Sequence, residues 1–150
     1  MSIGSGLAGQ VGIAAESTYG TYVAPTRFHE PKAEVSFGLV KNIVQGGGVA
    51  AGRTVQPGSL RVVTGKSGSG TLQVELRNSK LGLLLQHIFG STPTPTQQNT
   101  STGYLQAHTL ADTFGKSLTI QSGVPDVTGT VRPYSFLGCK VTAAEFACTM

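Results

Sequence analysis

The sequence predicts a mainly β domain of α+β type. It combines several alternating strands, one flanking helix near 79–89 and a long Gly-rich hairpin or loop near 41–70. Three observations point to it. Several short segments alternate apolar and polar side chains with the period of a strand. One segment repeats its apolar residues with the period of a helix. Glycines recur through a long stretch between two strand-like runs, where they let the chain bend sharply. At 150 residues the chain is long enough for one domain, 1–150, with a real core.

The N-terminal residues read as an arm over 1–28. The apolar run from Gln10 leads into Glu16-Ser17-Thr18-Tyr19-Gly20-Thr21, which has the composition of a turn. Gly20 can take a positive φ, and Pro25 fixes φ and removes a donor. The chain is thus steered without a long regular element, which suits a segment laid on a neighbouring surface. Tyr19, Arg27 and Phe28 are its candidate assembly contacts.

Strands follow. Glu34–Val40 alternates through Val35, Phe37 and Leu39, and Thr71–Arg77 puts Leu72, Val74 and Leu76 on one face. Ser117–Gln121 turns Leu118 and Ile120 inward, and Gly138–Ala143 does the same with Cys139, Val141 and Ala143. Tyr104–Leu110 is a weaker strand signal. Between Val40 and Thr71 lies the Gly-rich excursion, with Gly46, Gly47, Gly48, Gly52, Gly58, Gly65, Gly68 and Gly70. Structureless excursions of that length are uncommon inside a compact domain and are usually functional or disordered. Lys41, Arg53, Arg61 and Lys66 are basic, with no carboxylate between them, and complete the candidate assembly contacts.

The helix signal is Leu81, Leu84, Leu85 and Ile88, spaced i, i+3, i+4, i+7. Asn78 or Ser79 can cap its start, and Gly90 can end it in a left-handed turn. Coming straight after a strand, it is expected to fold back over a sheet with Leu84 and Leu85 buried. Ser91–Gly103, rich in Thr, Pro, Gln and Asn, reads as an exposed loop.

Composition narrows the function. Charged residues are 12% of the chain, about half the usual share. Soluble monomers normally carry mixed surface charge, so the shortage suggests a surface covered by other subunits. The net charge of +4 is scattered rather than gathered in a stripe, which argues against a nucleic-acid reader. Met1-Ser2-Ile3 begins no signal peptide and no apolar run reaches a membrane span, which suggests a chain kept in a reducing cytoplasm. Cys139 and Cys148 then read as small apolar side chains.

Catalytic and cofactor motifs fail on context, so no enzyme activity and no cofactor are expected. Gly4-Ser-Gly-Leu-Ala-Gly9 spells G-x-G-x-x-G but has no strand before it and no long helix after it. Thr64-Gly-Lys-Ser67 resembles a Walker A ending, yet Leu60 stands where the first glycine belongs. Gly65-Lys-Ser-Gly-Ser69 misses the final glycine of an esterase elbow. His29, His87 and His108 are far apart, and the seven carboxylates form no acid/base pair in sequence.

Gly12-Ile-Ala-Ala-Glu-Ser-Thr-Tyr-Gly-Thr-Tyr-Val-Ala-Pro-Thr-Arg-Phe28 resembles the opening of tail tube (major tail) proteins of long-tailed bacterial viruses. Ala51-Gly52-Arg53, Gln56 and Val63-Thr-Gly-Lys66 resemble the middle of that family. Gly70-Thr-Leu72 into Glu75-Leu76 resembles its next strand, and Gly82-Leu-Leu-Leu85 its helix. Pro133-Tyr134 and Gly138-Cys-Lys-Val-Thr142 resemble a later strand. Family members commonly continue further, so the resemblance implies a C-terminally shortened chain.

The resemblance implies a β-sandwich or barrel-like domain with a flanking helix, serving as a structural virion protein placed in the tail after assembly in the host cytoplasm. Its hexameric rings would stack into a tube that conducts DNA, which passes without specific binding. Long hairpins would line the channel, and tape measure and tail terminator proteins would be partners. On that reading most of Lys41, Arg53, Arg61 and Lys66 should point away from the lumen, because basic groups facing DNA would hold its phosphates. A standalone β-sandwich binding or decoration module of a virion is the alternative, and size in solution separates the two.

Overall fold

The computed structural model describes residues 9–32, 35–48, 51–77 and 79–147. It is mainly β with one α-helix among those residues, as the sequence predicts. The chain divides into two compact units, Met1–Lys32 with Val74–Met150 and Ala33–Gln73.

The first unit is built on an antiparallel four-stranded sheet in the order β2-β1-β7-β8. Its strands are β1 (Gln10–Ala15), β2 (Arg27–His29), β7 (Leu118–Pro125) and β8 (Val131–Cys139). The β1–β7 register sets Val11 opposite Ser122, Ile13 opposite Ile120 and Ala15 opposite Leu118. Val11, Ile13, Ala14, Leu118 and Ile120 are the buried centre of this unit. Leu118 and Ile120 turn inward as expected, but Ser117 and Thr119 between and beside them are buried too. Polar side chains on that face need partners, and they find one in Glu16.

The arm expected over 1–28 takes a different form. Gln10–Ala15 is a strand between two others, and Arg27–His29 is the edge strand beside it. What lies between them covers its own sheet. A Cβ on Gly12 would sit 2.6 Å from the Pro25 Cβ and 3.0 Å from the Phe28 ring, so this glycine permits close packing of the return segment. Val23 N–H donates to Thr119 Oγ1 at 3.3 Å, and Tyr22 Oη accepts from Gln121 Nε2. A run of buried apolar residues at Val11–Ala14 made the strand; the Gly and Pro signals mark only its turn. Residues 1–8 lie outside the described residues, as does all but the last glycine of the G-x-G-x-x-G stretch.

Two expected strands are corrected. Leu72–Arg77 forms no continuous strand, and only Val74 makes an isolated bridge, to Pro31. After Gly138, which bends the backbone at φ 65°, Lys140–Ala143 is irregular, and the last strand ends at Cys139. The Tyr104–Leu110 signal condenses to Tyr104–Leu105 (β6), paired with Thr96–Gln97 (β5) inside the segment expected to be a loop.

The helix α1 spans Gly82–Phe89 and ends as expected, with Gly90 at φ 84° and its N–H on Gln86 O. Its start differs: Leu81 occupies the cap position, Ser79 does not cap it, and Asn78 lies outside the described residues. The buried face is also rotated from expectation. Leu83 and His87 are buried, whereas Leu81, Leu84, Leu85 and Ile88 are half-buried. His87 is tolerated there because its Nδ1 donates to Leu83 O at 2.9 Å. No helix among the described residues is long and apolar enough to cross a membrane.

The second unit is a two-stranded hairpin of β3 (Ser36–Gln45) and β4 (Arg61–Thr71). A short 3-10 turn, Gly58–Leu60, precedes β4. The excursion expected as hairpin or loop is therefore a hairpin whose strands reach well into it. Its glycine at 70 accommodates the partner strand's ring: a Cβ there would lie 2.1 Å from Phe37 Cδ1. Glu34, assigned to this strand from sequence, lies outside the described residues.

Candidate functional site

The hairpin carries an unusual amount of uncovered apolar surface. Leu39, Val40, Ile43 and Val44 on β3, with Val62 and Val63 on β4, are each 46–60% exposed. They occupy both faces, because side chains alternate across a strand. A two-stranded ribbon with open edges and apolar side chains on each face is marginal in water by itself. Such a surface is suited to being covered by other protein.

The register sorts the side chains. Lys41 stands directly opposite Lys66, and Gln45 opposite Arg61. Between these pairs the register shifts, since Asn42 pairs with Gly65 and Ile43 with Val63, leaving Thr64 as the extra residue. Thr64 Oγ1 donates to Asn42 O at 3.3 Å across the bulge. Of the sequence-predicted contacts, Lys41, Arg61 and Lys66 are thus brought to one face of the hairpin. Arg53 stands apart, exposed just after Gly52 (φ 80°) in the connection between the strands.

Tyr19, Arg27 and Phe28 belong to the other unit. Tyr19 is 70% exposed, yet its ring lies against Gly138, where a Cβ would come within 3.0 Å of it. Phe28 partly covers Gly12, and Arg27 is half-buried opposite Ile13. These three side chains take part in packing their own unit.

Sequence reasoning missed Glu16. Its carboxylate is buried and accepts from Gly138 N and Thr119 Oγ1 through Oε1, both at 2.9 Å. Oε2 accepts from Ser117 Oγ at 2.7 Å and Gly20 N at 2.8 Å. Burial acts to raise its pKa, but the four hydrogen bonds, led by Gly138, outweigh it and hold the group below the ordinary carboxylate range. The signal was in the sequence: a lone carboxylate closing an apolar run, ahead of Ser17-Thr-Tyr-Gly20, needs donors.

Three further carboxylates are occupied in local structure. Asp126 caps the β7–β8 turn, accepting from the hydroxyl and N–H of Thr128, from Thr130 N–H and from Arg132 Nε. The Thr128 hydroxyl bond is the largest cause of a pKa of about 2. Glu30 and Glu75 share Arg77, at 2.6 and 3.3 Å. Burial, then the Lys80 and Arg27 charges, lowers the pKa of His29. Burial raises that of Cys139, with a further push from the Glu16 carboxylate; Cys148 lies outside the described residues. Among the described residues no three His, Cys, Asp or Glu side chains are grouped to hold a metal ion. Among the described residues, no carboxylate lines the hollow beside Val35–Gly38 or the cleft of His87, Thr113, Lys116, Lys140 and Val141.

What this geometry offers is surface for assembly, the equipment of a β-rich structural subunit. The family described as phage tail tube protein matches residues 6–149, and the chain belongs to that family. It is a structural protein of the viral tail. Comparison with curated proteins and with solved structures finds no match.

Proposed function

We propose that the chain is the repeating subunit of a phage tail tube. Both units, over residues 1–150, serve as one tail-tube subunit, and copies form hexameric rings that stack around a channel conducting DNA into the host. The observation that carries this reading is the β3–β4 hairpin, ten register pairs long with apolar side chains exposed on both faces. Side by side, hairpins of successive copies would join into a closed barrel, which removes the open edges and lets other protein cover the apolar side chains of the outward face. Assembly takes place in the host cytoplasm. Tape measure and tail terminator proteins meet the tube along its channel and at its end.

Negative-stain imaging and sedimentation of the purified chain test this. Rings or filaments are expected, and Ile43→Asp with Val63→Asp should abolish them while the four-stranded sheet still melts cooperatively. A wild-type chain that stays monomeric at high concentration would overturn the proposal and favour a standalone module.

A further inference from the structure

The two faces of the hairpin differ in charge, and the difference is built by the bulge. Residues that pair directly share a face, and successive residues alternate. One face therefore carries Phe37, Leu39, Lys41, Ile43 and Gln45 with Lys66, Val63 and Arg61. The other carries Ser36, Val40, Asn42 and Val44 with Val62, Ser67, Ser69 and Thr71, and has no charged side chain. Were Thr64 to take an ordinary place in the ladder, strict alternation from Lys66 would put Arg61 on the uncharged face. The bulge re-aims it, so all three cations of the paired strands stand together.

That grouping is unfavourable in the isolated hairpin. Lys41 and Lys66 are directly opposed, and like charges opposed across strands repel. No carboxylate lies between residues 41 and 66 to offset them. Around a symmetry axis, each such residue becomes a ring of cations. Turned to a DNA path, those rings would bind phosphates and hold the passing duplex. The Ser, Thr and Asn face can hydrogen-bond water and carries nothing that attracts phosphate over distance.

Resting on the tube reading above, we propose that the hairpin faces have divided roles. The uncharged face with Ser67, Ser69 and Thr71 borders the channel, and the face with Lys41, Arg61 and Lys66 seats on carboxylates of a neighbouring copy of this chain. The bulge at Thr64 is the device that keeps Arg61 out of the channel.

The test uses tubes assembled from the full chain, with two readouts. One is the salt concentration at which tubes dissolve, and the other is the amount of short duplex DNA that pellets with them in nuclease-resistant form. Wild-type tubes should hold little DNA. Lys66→Gln tubes should dissolve at a different salt concentration, with a weaker salt response, and hold no less DNA than wild type. Ser69→Lys tubes, or Ser67→Lys tubes where the first variant fails to assemble, should hold about tenfold more DNA at low salt and release it as salt rises. The assignment is overturned if wild-type tubes hold DNA and Lys66→Gln abolishes it, or if Lys66→Gln leaves the salt response unchanged. Tubes failing to form from the wild type would instead sink the tube reading itself.

Discussion

Glu16 and Gly138 are separated by 122 positions in the chain, yet the Gly138 N–H donates to Glu16 Oε1 at 2.9 Å. The contact exists because Gly138 adopts φ 65° at the irregular end of β8, where Leu137 and Gly138 of β8 stand against Thr119 alone of β7. That turn aims its amide at the carboxylate. Tyr19, three residues after Glu16, then lays its ring against Gly138. One carboxylate thus ties the turn after β1 to both β7 and β8. No cation neutralises it among its recorded partners, so hydrogen bonds alone keep it charged inside the fold.

Glu16→Gln should therefore be costly. The amide can accept only through its oxygen, and its NH2 would face donors, leaving buried N–H or O–H groups unpaired at about 1–3 kcal/mol. The pH dependence has a definite sign. A folded-state pKa below the ordinary 4.5 means the unfolded chain binds more protons in that window. The stabilisation is complete above pH 4.5 and is lost as pH falls through the folded-state pKa. Denaturant melts across the acid range should show that loss in the wild type and a shallower slope in the variant. Equal slopes would remove Glu16 from this role.

Much of the fold was legible because burial leaves a period. Leu118 and Ile120, the hairpin's glycines and the Gly90 helix end all carry local signals that tertiary structure kept. The losses were of another kind. Leu72–Arg77 alternates well, yet only Val74 found a bridging partner, and a strand without one is not a strand. Gln10–Ala15 was hidden because both its faces are covered, which erases alternation and leaves a plain apolar run. For the proposed assembly surface, the basic residues were legible but their grouping was not, since it depends on a bulge at Thr64 that no local pattern announces.

Deleting residues 1–28 should prevent folding. The deletion removes β1 from between β2 and β7, takes away Val11 and Ile13, and strips Glu16 from Ser117 and Thr119. Far-UV circular dichroism and a thermal melt decide it. A cooperative transition in the truncated protein would contradict the central placement of Gln10–Ala15.

Helix substitutions should rank by the observed burial. Leu83→Ala is expected to cost about 2–5 kcal/mol, the range for large-to-small changes at buried sites. Leu84→Ala should cost clearly less, since Leu84 is half-buried. A chemical melt giving the reverse order would restore the Leu81–Leu84–Leu85–Ile88 face as the one packed inward.

Arg53 is the remaining basic residue of the excursion, and its position suits a contact beyond its own hairpin. It follows the positive-φ Gly52 in the connection between β3 and β4, exposed and away from the Lys41–Lys66 pair. An exposed charge there costs the folded chain little, which fits the assembly contact proposed for it. A guanidinium holds a carboxylate in a fixed fork that the lysines cannot reproduce. Arg53→Ala should therefore leave the melt of the free subunit unchanged while assembled tubes dissolve at lower denaturant. Arg53→Lys should restore only part of that loss, because the ammonium keeps the charge but not the paired geometry. Tubes of Arg53→Ala with wild-type resistance, imaged and pelleted side by side with the parent, would take Arg53 out of the interface.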